Sequence, residues 1–420
     1  MKKVILLLIC ISLVFVLAAC SKTASGSEIK SNVSRETAPD VSVSQLAALV
    51  DGNTAFAFDL YQSLKADFDN FFYSPYSISE TLAMVCGGAR GDTEDQMADV
   101  LHFDLSRDEL HKAFNYLDLE LAKRGEEKDA ESFVLKIVNA AWGQIDYQFS
   151  DEYLDLLAEN YGAGVRVVDY VNDPSGSRQI INQWISDNTN GKIEEIISEN
   201  TITDLTTLIL ANASYFKGAW KHKFMEADTV NQPFYLLNGS SVTVPMMKQT
   251  MLFDYVEEED YQAIELRYKG DEISMLIILP EKDKFSEFES ELDNAMLSDI
   301  VDSMADMEER NINLTMPKFN YESGFSLKEI LLSAGMADAF DPLEADFSFM
   351  TGNRDLWLDA VDHKAYISVD ESGTEAAAAT TAIMVSSLPG TMTIDRPFIF
   401  FIRDIETGTV LFMGRVLNPS

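Results

Sequence analysis

Between two segments that read as strands, HKAYISVD (363–370) and DRPFIFFI (395–402), the chain places GTEAAAATTAIMVSSLPGT (373–391). From 376 to 394 it carries neither a charged nor an aromatic residue, although 24% of the whole chain is charged. Alanine favours a helix, but TTAIMVSS is β-branched and serine-rich and a Pro-Gly pair closes it. A helix would end there within about two turns. Read with a period of two, Thr374, Ala376, Ala378 and Thr380 fall on one face, and all are small. Such a face suits a strand that enters an already packed sheet, where larger side chains would overpack it. Two readings stand: a short buried helix, or an exposed loop kept uncharged for a dry destination.

The rest of the chain supplies a large host. It has 420 residues, 46% of them hydrophobic, far from the composition of a disordered chain. A net charge of −37 excludes nucleic acid as a partner, since phosphate binding needs clustered Lys and Arg. Helical spacing runs through SVSQLAALVDGNTAFAFDLYQSL, SISETLAMVCGG, DEYLDLLAENYG and SGSRQIINQWISDNTNGKI. Strand character marks SFVLKIVNAAWG, LTTLILANASYF, QAIELRYK, ISMLIILP, INLTMPKF, HKAYISVD, RPFIFFIRD and TVLFMGRVLN. No repeat and no change of composition divides 46–420, which reads as one mixed α and β domain.

The N-terminus MKKVILLLICISLVFVLAAC has two lysines, then an apolar run too short for a span of about 20 residues. It reads as a secretory signal. Leu17-Ala18-Ala19-Cys20 resembles the lipobox of bacterial lipoproteins, which implies a signal over 1–19, acylation of Cys20 and a lipid anchor on the cell surface. Residues 20–45, rich in Ser, Thr and Val, then read as a flexible linker. Loss of Lys2 and Lys3 takes the charge from −37 to −39. Cys10 leaves with the signal and Cys20 carries lipid, so Cys86 is a lone, buried packing thiol and no disulfide framework exists.

Other motifs carry little. The histidines at 102, 111, 222 and 363 lack metal-ligand spacing. No G-x-S-x-G elbow is present. In YGAGVRV, Val167 stands where a dinucleotide loop needs its third glycine. Arg90-Gly91-Asp92 reads as a junction of two helices, with Asp92 or Thr93 as N-cap.

GTEAAAAT, preceded by a strand and followed by DRPFIFFI, resembles the hinge and reactive loop of the serpins, the serine protease inhibitors. NFFYSPYSISETLAMVCGGARGDTEDQMADVL, INQWISDNTNGKI, NASYFKGAWKHKF, MPKFNYESGFSLKEIL, LLSAGMADAF, ADFSFM and LFMGRVLNP follow the family's order. The resemblance implies an α+β fold over 46–420: about eight or nine helices around three mainly antiparallel or mixed sheets, with an exposed reactive-centre loop near 371–394. It implies a suicide substrate, not an enzyme: the protease cleaves the loop as an acyl-enzyme, and the loop inserts as a strand and traps it. No cofactor is implied, and the protein is expected to be a monomer.

By this match Glu371, Ser372, Gly373, Thr374 and Glu375 begin the hinge, which continues through Ala376, Ala377, Ala378, Ala379 and Thr380. The bond attacked is Ser387–Leu388 counted from the hinge, or Ser386–Ser387 counted from Pro397, with Met384 and Val385 also suited to the cleavage position. None is basic, which points to an elastase-like protease; papain-like cysteine proteases stay open as a second class. The family's shutter falls on Ser74, Ser77, Asn212 and His363, and its breach tryptophan on Trp220. A non-inhibitory carrier or chaperone of the same family is the alternative, then a solute-binding lipoprotein, then a hydrolase.

Overall fold

The computed structural model describes residues 26–67, 69–124, 133–374 and 389–420. Two sheets organise it. The first runs β1 (Ser27–Ile29), β4 (Val165–Val168), β3 (Phe133–Gln144), β5 (Leu208–Ala219), β12 (Leu358–Val369) and β11 (Phe319–Ser326), with β13 (Gly373–Thr374) also on β5. The second runs β14 (Gly390–Thr393), β10 (Arg310–Pro317), β7 (Ser241–Glu257), β8 (Tyr261–Arg267), β9 (Ile273–Pro280), β15 (Phe398–Asp404), β16 (Val410–Val416) and β2 (Phe71–Tyr73), with β6 (Val230–Tyr235) on β7. The three expected sheets are present, two of them sharing a strand. The 17-residue β7 leaves β6 and β10 and continues alongside β8, fusing two of them.

Ten α-helices surround the sheets among the described residues, against the eight or nine expected. They are α1 (Val43–Leu64), α2 (Pro75–Cys86), α3 (Gly91–Val100), α4 (Arg107–Ala122), α5 (Asp151–Tyr161), α6 (Pro174–Asn188), α7 (Phe285–Glu291), α8 (Asn294–Ala305), α9 (Lys328–Ala334) and α10 (Ser348–Thr351). The shortest, α7, α9 and α10, show too few turns for a periodic signal. Helix α1 starts at a capping box: the Gln45 amide donates to Ser42 Oγ, and the Ser42 amide donates to Gln45 Oε1. Helix α2 has Ser74 as cap and Pro75 in its first turn, and all of its residues are buried. It runs behind the first sheet, and α6 covers the opposite face, packing Ile181 and Ile185 over Trp142, Ala211 and Ala213. Asp92 and Thr93 do not cap α3; Arg90 holds that place and both lie within the first turn.

The segment expected to be a flexible linker is docked from residue 26 onward. β1 pairs antiparallel with the edge strand β4. Arg35 pairs with Asp118 at 2.6 Å, and the Glu36 amide donates to Glu159 O at 2.9 Å. Backbone pairing on an open edge needs no apolar side chains, so a Ser/Thr-rich composition does not forbid it. The glycines of YGAGVRV serve this contact. Gly162 ends α5 at φ +61°, and a Cβ on Gly164 would stand 2.3 Å from Ile29 O. Gly164→Val is expected to lift residues 26–31 from β4 and to cost about 1–3 kcal/mol of stability. Urea unfolding and limited proteolysis of the segment check both effects.

Candidate functional site

The site is the seam between β5 and β12. These strands pair in parallel from Leu208 to Tyr215 and from Leu358 to Tyr366, which sets His363 opposite Asn212. On the other side of β5, Asn139 of β3 also stands opposite Asn212. Residues opposite one another share a face, so three polar side chains line up across three strands, over α2. Ser74 and Ser77 come up from the start of α2. All four expected shutter residues are 1% exposed or less.

The hydrogen bonds define the protonation state. The Ser74 amide donates to His363 Nε2 at 3.3 Å, so that nitrogen carries a lone pair. The proton then sits on Nδ1, which donates to Asn212 Oδ1. Burial pushes the imidazole down to about 3, which keeps it neutral. The Asn212 amide nitrogen lies 2.7 Å from Ser77 Oγ, 2.9 Å from Thr81 Oγ1 and 2.7 Å from Asn139 Oδ1. Two N–H protons face three acceptors, a cluster with spare partners. The Ser74 hydroxyl donates to Leu411 O at 2.7 Å and ties α2 to β16.

Beyond Tyr366 and Tyr215 the two strands separate, and the start of the hinge takes the place. Gly373 and Thr374 pair antiparallel with Ala219 and Gly218 of β5. A tight turn precedes them: the Asp370 amide donates to Gly373 O at 2.9 Å, and the Gly373 amide to Asp370 O at 3.2 Å. Gly373 is obligatory there, with φ at +135° and a Cβ position 2.1 Å from Gly218 O. Trp220 donates from its ring to Asp370 O at 3.0 Å and from its amide to Ser372 O, while its ring stacks on Tyr268. Glu371 accepts from Lys318 and Thr229, each at 2.7 Å. Burial pulls its carboxyl up, but these two partners outweigh burial and leave it below the ordinary range.

Thr81, Asn139, Lys318 and Thr229 were not legible as members of the site. Asn139 alone left a trace, as a polar residue within the apolar strand VLKIVNAAW. Glu375, Ala376, Ala377, Ala378, Ala379, Thr380 and the bond candidates Met384, Val385, Ser386, Ser387 and Leu388 lie outside the described residues, as does Cys20.

Comparison with known proteins agrees with this arrangement. Residues 51–419 match the family profile of the serpins, described as serine protease inhibitor. An uncharacterized serpin-like protein of Thermococcus kodakarensis is 41% identical over 378 residues, 89% of this chain and 86% of that one. Leukocyte elastase inhibitor A of Mus musculus is 38% identical over 383 residues, 88% of this chain and 99% of that one. The native-state crystal structure of a thermophilic serpin, tengpin, superposes with a TM-score of 0.81 at 28% identity, over 94% of this chain and all of that one. The chain belongs to the serpin family, and its fold is the serpin fold.

Two outcomes test the chemistry of the seam. His363→Ala leaves the Ser74 amide and Asn212 Oδ1 without their partner, at about 1–3 kcal/mol for each buried group. Faster spontaneous conversion or polymerisation on native gels is expected. A folded-state pKa below the unfolded value means that stability is held above about 6.5 and lost as pH falls. His111, pushed down to about 4 by burial, acts with the same sign. Relative to wild type, His363→Gln should therefore lose less of its urea midpoint as pH falls from 6.5 towards 4.

Proposed function

We propose that this serpin is an inhibitor that acts as a suicide substrate, with an elastase-like serine protease as its target. The observation that carries the reading is β13, whose two residues already pair with β5 at the head of a seam that polar bonds hold shut. Continuing that antiparallel register sets Ala377 opposite Tyr215 and Thr380 opposite Asn212. A hydroxyl would then face the amide that His363 now serves. On that register the inserting face, Thr374, Ala376, Ala378 and Thr380, would be the one turned towards α2. On the opposite face the sheet carries Ala140, Ala211, Ala213 and Ala360, small enough to leave room beneath α6.

The protease serine oxygen attacks the scissile carbonyl, an ester forms, and the C-terminal side departs with the proton on its new amine. The freed loop continues the register begun at Gly373 and draws the esterified protease across the sheet. Distortion of the protease removes its oxyanion hole, so the ester survives. Ordering a residue costs about 1–2 kcal/mol, and a hydrogen bond returns about 0.5–1.5. Backbone bonding alone does not drive the step; burial of the small inward face and completion of the sheet must add to it.

The elastase preference follows from the small and apolar residues 384–388 and from the names of relatives such as the mouse leukocyte elastase inhibitor A. A net charge of −39 after signal removal would steer basic proteases. Cys20 is proposed as the lipid anchor of an exported, cell-surface protein that acts as a monomer. Family membership sets aside the solute-binding and hydrolase readings, and a non-inhibitory member remains the competing one.

Mixing the chain from residue 21 onward with elastase should yield a complex that survives a denaturing gel, and the mass of the released peptide fixes the bond. Cleavage without complex, and without a rise in melting temperature, would overturn the proposal. Thr374→Arg is expected to turn the inhibitor into a substrate. Thr380→Val should leave the uncleaved melt unchanged but lower that of the cleaved form, which scanning calorimetry reads.

A further inference from the structure

One buried acid next to the seam has no part in the reading above. Glu80 lies on α2, 8% exposed, one turn after Ser77. Its Oε2 accepts from Asn139 Nδ2 at 2.8 Å, and Tyr76 OH stands 3.4 Å from Oε1. Asn139 is thereby oriented, with its amide nitrogen towards Glu80 and its oxygen towards the seam. That oxygen accepts from Ser77 Oγ at 2.9 Å and from Asn212 at 2.7 Å. Glu80 thus fixes the rotamer of the side chain that fixes Asn212.

Opening the seam for one more strand moves β5, β3, β4 and β1 aside by about one strand spacing, roughly 4.8 Å. Asn139 travels with β3, whereas Glu80 stays on α2, so their bond exists only while the seam is closed. We infer that Glu80 is a positioning residue of the seam, acting through Asn139, and that gain or loss of its proton sets how readily the first sheet opens. This deepens the proposed function and rests on it.

The surroundings define the sign. Burial and the neighbouring Asp118 of α4 push the Glu80 carboxyl up to about 8, against Asn139, Arg35 and Tyr76, which pull it down. Tyr161 of α5 also faces the group electrostatically and is itself neutral, pushed far up by burial. Both oxygens accept, one from Asn139 and the other from Tyr76 OH, and burial with Asp118 outweighs these two donors. A folded-state pKa above the unfolded one favours the closed form at low pH, and that preference is lost as pH rises through about 8. Arg35, from the docked N-terminal segment, pairs with Asp118 and so sets the local charge.

The experiment follows the purified protein at fixed temperature as it converts to a urea-resistant, loop-inserted form, at a series of pH values from 6 to 9.5. The wild-type rate is expected to rise by up to about tenfold per pH unit below the inflection and to level off above it. Glu80→Gln keeps the contact to Asn139 without the proton and should give a flat profile. Arg35→Gln should move the inflection to higher pH, and Asp118→Asn to lower pH. Parallel profiles for wild type and Glu80→Gln would overturn the inference, as would an inflection that neither neighbour moves. Should Glu80→Gln not fold, the opposite shifts from Arg35→Gln and Asp118→Asn decide the question. Loop cleavage serves as the control. Stabilisation on cleavage with no pH effect removes only the role of Glu80, whereas no stabilisation removes the inhibitor reading and the inference with it.

Discussion

On the proposed reading, the structure turns on a seam that must be closed without being sealed. β5 and β12 are joined along their backbones, and the side-chain bond across the join runs from neutral His363 to Asn212. An apolar seam of matched side chains would hold by area, and opening it would expose all of that area at once. The polar cluster behaves differently. Each bond is directional and the Asn212 amide nitrogen has three acceptors within reach, so its partners can be exchanged one at a time. Neutrality matters as much as bonding. A charged imidazole here would need hydration that the site lacks, and burial prevents it.

The two ends of the seam are built differently. Towards the hinge, Asp370 to Gly373 form a turn pinned by Trp220, Phe224, Lys318 and Thr229, so the strand that would enter is held in register before it moves. Along the zipped part, the face beneath α6 carries Ala140, Ala211, Ala213 and Ala360 among larger side chains, and the back face carries the polar row. The lateral edge is covered as well, because β1 occupies the backbone groups of β4 that a second sheet could otherwise use.

Much of this was legible, for identifiable reasons. All eight proposed strands and four proposed helices fall within or overlap observed elements, because long segments carry enough periods to declare themselves. The bait-like stretch stood out through what it lacks. Ser74, Ser77, Asn212, His363 and Trp220 were placed only through resemblance, since nothing local in SPYS, LANAS or DHKAY says that they meet. Asn139 lies far along the chain from Glu80 and Thr81, and it meets them only because sheet register and the packing of α2 bring β3 over that helix, which a single strand does not reveal. The N-terminal segment was misread because composition measures what a segment could bury alone. It does not measure what an open sheet edge offers it.

On the proposed reading, resistance to insertion begins at the boundary between β13 and the closed seam. The last register pair is Tyr215 opposite Tyr366, their rings 6.5 Å apart, and the Lys192 ammonium lies 5.8 and 5.4 Å from the two ring centres. A cation over two rings that belong to opposite strands attracts both and so favours keeping them together. On the proposed reading, Ala377 reaches this pair three residues beyond Thr374, ahead of the His363–Asn212 bond that Thr380 would replace. The order has a consequence for the trap. The first obstacle is met at the surface end, by small residues against aromatic ones, and the second lies in the interior. An entering strand that has passed the tyrosines is already paired to β5 when it meets the histidine. Disruption of the buried polar row is then offset by backbone bonds made in the preceding steps, and the seam opens progressively from the hinge end.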